Sequence, residues 1–255
     1  MRVVTWNVNS VKARLGHLCG FLSSAAPDVL LLQEIKCQDA DFPRLEVEAA
    51  GYRVEVRGQK SYNGVAILSR HAIEVTADRL PGDPSDEQAR YLEARIAGVR
   101  VASIYLPNGN PVGTPKFDYK LAWFARLEAR ARELLATEEP VVLGGDYNVI
   151  PETADVYDPA DWADDALWRI ESRRALRRLF WLGFTDAFRA LDGRPHQYSF
   201  WDYQAGRWQR NEGIRIDHLL LSPAAADRLA ESGIDRGPRG LERASDHTPV
   251  WCRLS

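Results

Sequence analysis

No stretch of this 255-residue chain approaches the ~20 consecutive apolar residues that a bilayer-spanning helix needs, so no such helix is expected. Cysteine is scarce: Cys19, Cys37 and Cys252 are scattered, and no CxxC occurs. That fits reduced thiols better than a disulfide framework or a zinc site. The opening MRVVTWNVNS reads as a strand from the second residue, with no room for a charged region, an apolar core and a cleavage site. A cytoplasmic location is therefore expected. The chain has no Ser/Gly/Pro linker, low-complexity tract or tandem repeat, and we expect one domain over residues 1–255. Excess basic charge is missing as well. A net charge of -3 argues against a protein that coats nucleic acid through bulk charge. Charge is nevertheless uneven: five arginines against Glu171 occupy residues 169–178, and six acids without a base occupy residues 152–165. Either run suits a solvated face or a local contact with a polyanion.

Apolar-rich segments that read as strands recur at Val3 to Val8, Val29 to Leu32, Tyr52 to Val56, Gly64 to Leu68, Leu92 to Leu106, Val141 to Val149, Ile214 to Leu221 and Thr248 to Leu254. Val11, Leu15, Leu18 and Leu22 keep helical spacing behind Ser10 as an N-cap. A second helix is expected over roughly Phe117 to Leu135, and a third from Ser172 to near Gly183 with its arginines outward. LPGDPSDEQAR and PNGNPVGTP read as surface loops. Strands interleaved with long helices indicate an α/β fold.

The strand VVLGGDYNVIP ends in Asp146 and Asn148, two residues apart. Extended-chain alternation would aim both at one spot, whereas an Asx-type turn would have them bond their own backbone. Gly144 and Gly145 allow close approach or an unusual backbone just before them. Other strands end the same way: Asn7 and Asn9, Glu34, Tyr105 and Asn108, Arg215 and Asp217, Asp246 and His247. Each side chain has an ordinary structural use, such as an Arg215–Asp217 ion pair. Six strands ending in metal-binding or proton-transfer groups imply instead an oxygen-rich site suited to a hard cation, Mg²⁺ or Mn²⁺.

The motifs TWNVNSVKAR, LLQEIKCQDADFP, YNGVAILSR, YLPNGN, GGDYNV, TDAFR, GIRIDHLLLS and SDHTPV, in this order, resemble the exonuclease III family of AP endonucleases, within the endonuclease/exonuclease/phosphatase superfamily. The resemblance implies a four-layered α/β sandwich, two packed mixed β-sheets flanked by helices, with the site at one edge. It implies Glu34 as principal metal ligand, helped by Asn7 and Asp246. Asp146 would activate the attacking water, Asn148 would hold it or the phosphate, and His247, oriented by Asp217, would stabilise the phosphate oxygens with Tyr105 near the leaving group. Phe200 and Trp201 would wall an extruded abasic sugar; Asn108, Lys116 and Lys120, with the arginine-rich helix, would hold phosphates. The implied partner is double-stranded DNA with abasic sites or blocked 3′ ends, and the implied enzyme a monomer. Ile214 and Asn9 depart from some relatives, which carry a large aromatic and an acid there. The rivals are another phosphoesterase of the superfamily and a catalytically silent DNA-binding relative. Retention of Glu34, Asp146, Asn148 and His247 speaks against the silent one.

Overall fold

The computed structural model describes residues 1–255. Twelve strands form: β1 Arg2–Asn7, β2 Val29–Gln33, β3 Arg53–Arg57, β4 Val65–Ser69, β5 Glu74–Ala77, β6 Tyr91–Ile96, β7 Val99–Tyr105, β8 Val141–Asp146, β9 Thr185–Asp186, β10 Asp217–Leu221, β11 Leu229–Ile234 and β12 Val250–Leu254. They make two six-stranded sheets, ordered β11-β12-β1-β2-β4-β3 and β5-β6-β7-β8-β10-β9. Each sheet is mixed, with one parallel pair, β1 with β2 and β7 with β8. Three long helices, α1 Leu15–Ala25, α3 Pro115–Leu135 and α4 Ile170–Leu182, flank them, with a short helix α2 Arg44–Ala49.

Period-two alternation sorts the apolar residues into layers. From the first sheet, Val3, Leu31 and Ile67 face inward and meet Ala94, Val101, Val142 and Leu219 of the second. Their neighbours Val4, Trp6, Leu30 and Leu32 face outward under Leu18, Phe21 and Leu22 of α1. On the far side Ile104, Leu143 and Leu220 pack under Trp123, Phe124 and Leu127 of α3 and Leu176 and Leu179 of α4. The result is helix, sheet, sheet, helix, as the family resemblance implies. Each fully buried Leu contributes about 1.5–3 kcal/mol to holding these layers together.

One buried polar thread fixes the sheets against each other beneath the site. Thr5 Oγ1 donates to Gln33 Oε1 (3.1 Å), Gln33 Nε2 donates to Ser103 Oγ (3.0 Å), and Ser103 Oγ donates to the Leu32 carbonyl (2.9 Å). Gly144 and Gly145 serve close approach. A Cβ on Gly145 would lie 1.9 Å from the Ile104 carbonyl oxygen, and one on Gly144 2.6 Å from Leu31 Cδ1 across the sandwich.

Several expectations need correcting. The run Leu92 to Leu106 is two strands, because Ala97 (φ 46°) and Gly98 (φ 80°) make a tight hairpin turn within it. Strands β5, β9 and β11 escaped notice because they are short or polar. Helix α1 starts at Leu15, not at Ser10, although Ser10 Oγ does accept from the Ala13 N–H (3.4 Å). The arginines of α4 are not a free cationic stripe: Arg173 and Arg177 pair with Glu152 (3.3 and 2.8 Å), Arg178 with Glu128 (2.8 Å), and Arg173 also lies over Trp168. The acidic and basic runs thus neutralise each other in part.

Candidate active site

Strand register explains why the polar strand ends meet. In the second sheet Asp146 lies opposite Tyr105 on one side and opposite Asp217 on the other, so three functional side chains leave neighbouring strands at one level. In the first sheet Asn7 lies opposite Gln33, which places Glu34 one residue past the same edge. Residues directly opposite in a ladder share a face, which brings these groups together.

Asn7 is the clasp. Its amide Nδ2 donates to Glu34 Oε1 (2.8 Å) and Asp146 Oδ2 (2.9 Å), joining the two sheets. The other Asp146 oxygen accepts from the Asn148 backbone N–H (2.9 Å), and Asn148 adopts φ 48°. Both sequence readings of this motif therefore hold in part. The pair does share one cleft, but through an Asx turn, because β8 ends at Asp146 and extended alternation stops there. The Asn148 side chain is held by Leu106 O (2.9 Å) and by Asn108 Nδ2 (3.2 Å). Glu34 and Asn9 also have positive φ (48° and 44°), an unfavourable conformation concentrated at this edge.

His247 Nδ1 lies 2.9 Å from Asp217 Oδ2, and its Nε2 lies 3.7 Å from Asp146 Oδ2. Ser199 Oγ donates to the same Asp217 oxygen (2.6 Å), so Asp217 is anchored from two sides. Arg215 does not pair with Asp217; it turns away to Asp155 and Asp186 (2.8 and 2.7 Å). Burial opposes a charged His247, but the carboxylates of Asp217 and Asp146 outweigh it and push the imidazole up to about 10. Burial pushes Asp146 up to about 7, aided by the Asp217 and Glu34 charges and opposed by His247. Glu34 behaves oppositely: burial would raise it, yet Lys36, 2.9 Å away, and the Asn7 amide hold it below its ordinary value. Burial, then the Glu34 and Asp146 carboxylates, raise the Tyr105 phenol well above its usual value, and Arg90 stacks on its ring at 4.7 Å. Groups displaced in opposite directions within one cleft are typical of proton-transfer sites.

Glu34, Asp146 and His247 offer ligand atoms that all lie within 4.8 Å of one another, and this group could hold a metal ion. Three carboxylates, those of Glu34, Asp146 and Asp217, converge against one imidazole and Lys36. Such an oxygen-rich, acid-excess set fits a hard divalent cation. Asn7 presents N–H groups and not its oxygen to this spot, so here it positions the Glu34 and Asp146 carboxylates. Asp246 stands at the rim, where Asn9 Nδ2 donates to it (3.1 Å) and Lys36 Nζ donates to Asn9 Oδ1 (2.5 Å). Asn9 is one of the polar strand ends singled out above, whereas the parts played by Lys36 and Ser199 emerge only from the fold.

The cleft, about 300 Å³, is lined by Glu34, Tyr105, Asn108, Asp146, Asn148 and His247, with Phe200, Leu167 and Ile216 as apolar wall. Phe200 meets His247 edge to face at 4.9 Å. Trp201 does not join it. Its ring is fully buried against Trp208 (4.8 Å), because residues 200 and 201 point to opposite sides of an extended segment. Lys116 is exposed at the start of α3, outside the cleft lining. Lys120 is fully buried and donates to the carbonyls of Asn108 (2.9 Å) and Asn148 (2.6 Å), which staples the two cleft loops and leaves it unable to meet a phosphate.

Burial lowers Lys120 to about 7 from 10.5. Between those two pH values the unfolded chain carries a proton that the folded one does not, so this group's contribution to stability grows as pH rises. The stability gap between the wild type and Lys120→Met, from urea melts, is accordingly expected to widen from pH 7 to pH 9. A gap that narrows would contradict this reading.

The chain belongs to the endonuclease/exonuclease/phosphatase family, whose profile matches residues 4–247. Within it, the relatives place this phosphodiester hydrolase among the exodeoxyribonuclease III and AP endonuclease enzymes. Exodeoxyribonuclease III of Haemophilus influenzae is 32% identical over 266 residues, covering 100% of both chains. An AP endonuclease from Archaeoglobus fulgidus superposes with a TM-score of 0.96 at 34% identity, over 100% of this chain and 99% of that one. The 3′ phosphatase NExo from Neisseria, solved with a product DNA hairpin, gives 0.95 at 39% identity over 100% and 99%. No helix is long and apolar enough to cross a membrane.

Proposed function

We propose that this chain, as a single catalytic domain and a monomer, hydrolyses the DNA phosphodiester 5′ to abasic sites and trims blocked 3′ ends, with Mg²⁺ or Mn²⁺ as cofactor. The observation that carries the reading is the convergence of Glu34, Asp146 and His247, whose ligand atoms lie within 4.8 Å of one another, with Asp217 Oδ2 2.9 Å from His247 Nδ1. When bound at Glu34, a hard cation supplies charge neutralisation at the phosphate and the leaving oxygen. Asp146 takes the proton of the attacking water as its oxygen bonds to phosphorus. His247 Nε2–H, held by the Asp217–Ser199 anchor, donates to the phosphate oxygens as the bond to the 3′-oxygen breaks. Tyr105 offers its hydroxyl at the leaving-group side, and Asn148 with Asn108 positions the phosphate. The apolar wall of Phe200, Leu167 and Ile216 suits a sugar that lacks a base, which leaves little but shape to recognise. The names of the Haemophilus, Archaeoglobus and Neisseria proteins support the DNA substrate and both modes of cleavage.

The test is a gel assay on a labelled duplex with one stable abasic analogue. Incision immediately 5′ to the analogue with Mg²⁺, and none with excess chelator, is the expected result. Intact DNA alongside release of phosphate from small esters would replace the substrate and keep the site.

A further inference from the structure

Next to the catalytic cleft lies a second cavity of about 210 Å³, and the two share Trp162, Asp165, Phe200 and Asp202 as lining. Its volume is below the ~300–1,000 Å³ of sites for drug-sized ligands, which leaves room for one planar ring system and not for a base pair. Its far end is built by Tyr157, Glu212 and Ile214. Ile214 takes less room than an aromatic would.

The lining chemistry narrows the occupant. Tyr157, Trp162 and Phe200 offer aromatic surface, and the buried indole N–H of Trp162 has no hydrogen-bond partner. Four acids line it, but Asp161 and Glu212 pair with Arg207 (3.2 and 2.9 Å), Glu212 also with Arg210 (2.7 Å), and Asp165 accepts from Asn110 (3.0 Å), which leaves Asp202 as the freest carboxylate. Arg207 is already committed: it lies over the Tyr157 ring at 4.8 Å and donates to Glu212 at 2.9 Å. Such a cavity repels phosphate, yet favours a neutral ring that stacks and carries N–H donors for carboxylates.

We infer that this cavity holds the unpaired base of the 3′-terminal nucleotide while its phosphodiester lies in the catalytic cleft, and that it favours bases with an exocyclic amine. The inference rests on the proposed DNA reading. A terminal nucleotide frays at low cost, so lodging its base requires little unpairing energy. Cytosine, adenine and guanine bring amino donors to the acidic lining, and thymine brings none. The cavity would thus serve removal of intact 3′ nucleotides, whereas an abasic sugar leaves it unused.

The test uses the wild-type chain in excess chelator and fluorescence anisotropy on two duplexes that differ only at the 3′ end: an unpaired cytidine, or the same sugar without a base. Base–aromatic stacking of about 1.4 kcal/mol corresponds to tenfold tighter binding of the base-bearing end, and that is the expected gap. An unpaired terminal thymidine should fall between them. Tyr157→Ala should erase the gap, leaving affinity for the baseless end within about twofold, and Tyr157→Phe should keep the gap by retaining the ring. Equal affinity for both ends in the wild type, or a Tyr157→Ala loss shared by both, would overturn the inference. A preserved gap in a protein that hydrolyses neither duplex when Mg²⁺ is added would instead overturn the proposed function and leave the base site standing.

Discussion

Asp146→Asn is expected to lower turnover by about 10²–10⁴-fold, the usual worth of a general base, while binding of abasic DNA changes little. The side chain keeps its size, so the cleft keeps its shape. What changes is the hydrogen-bond sense. In the wild type both carboxylate oxygens accept, one from the Asn148 backbone N–H and one from Asn7 Nδ2. An amide has only one oxygen, so one N–H must face another in either orientation. That mismatch costs on the order of 1–3 kcal/mol in a buried setting. The substitution also removes one of the three carboxylates, Asp217, Asp146 and Asp246, that raise His247, so the histidine should titrate at lower pH in the variant. Steady-state kinetics, binding measurements and an NMR titration of His247 separate these effects. Turnover like that of the wild type would remove Asp146 from the role of base.

The second large effect concerns stability. Arg215 is 1% exposed and bridges Asp155 and Asp186 at 2.8 and 2.7 Å, with the His218 ring nitrogen 3.0 Å away. Arg215→Leu leaves Asp186 buried without its cation, and Asp155 with Arg189 alone. Breaking a buried ion pair by removing one partner costs about 3–5 kcal/mol, a large part of a typical stability of 5–15 kcal/mol. Arg215→Lys should recover only part of the loss, since one ammonium cannot reproduce a guanidinium fork spanning two carboxylates. Activity should fall as well, because Arg215 lies two residues ahead of Asp217 and its backbone N–H donates to the Asp155 carbonyl at 2.9 Å. Urea melts decide the matter: a loss below about 1 kcal/mol would show that these carboxylates do not depend on the arginine.

Expectations held best where one local rule decided the outcome. The strands at Val29, Val65 and Val141 were legible because continuous apolar runs bounded by polar residues have few other uses. The hairpin at Ala97 and Gly98 was not legible, since a single glycine marks the turn and the strand formers Ile96 and Val99 flank it directly. Lys120 shows the same limit for function. A lysine after a loop motif reads as a phosphate contact, and only the packing of α3 reveals that its ammonium is enclosed and spent on backbone carbonyls. Trp201 was misplaced for a similar reason, because adjacent residues in an extended segment face opposite ways and composition does not say which one faces the cleft.

By itself, the sequence determined which chemistry is available: carboxylates, amides and one histidine at strand ends, in an order that marks the family. Tertiary structure decided who touches whom. Strand register put Asp146 between Tyr105 and Asp217, the Asn7 amide joined Glu34 to Asp146 across the sheets, and burial raised Asp146 while neighbouring carboxylates raised His247. The physical reason is that hydrogen bonds and desolvation depend on distances of a few ångströms between residues from 27 to 139 positions apart, which no local pattern encodes.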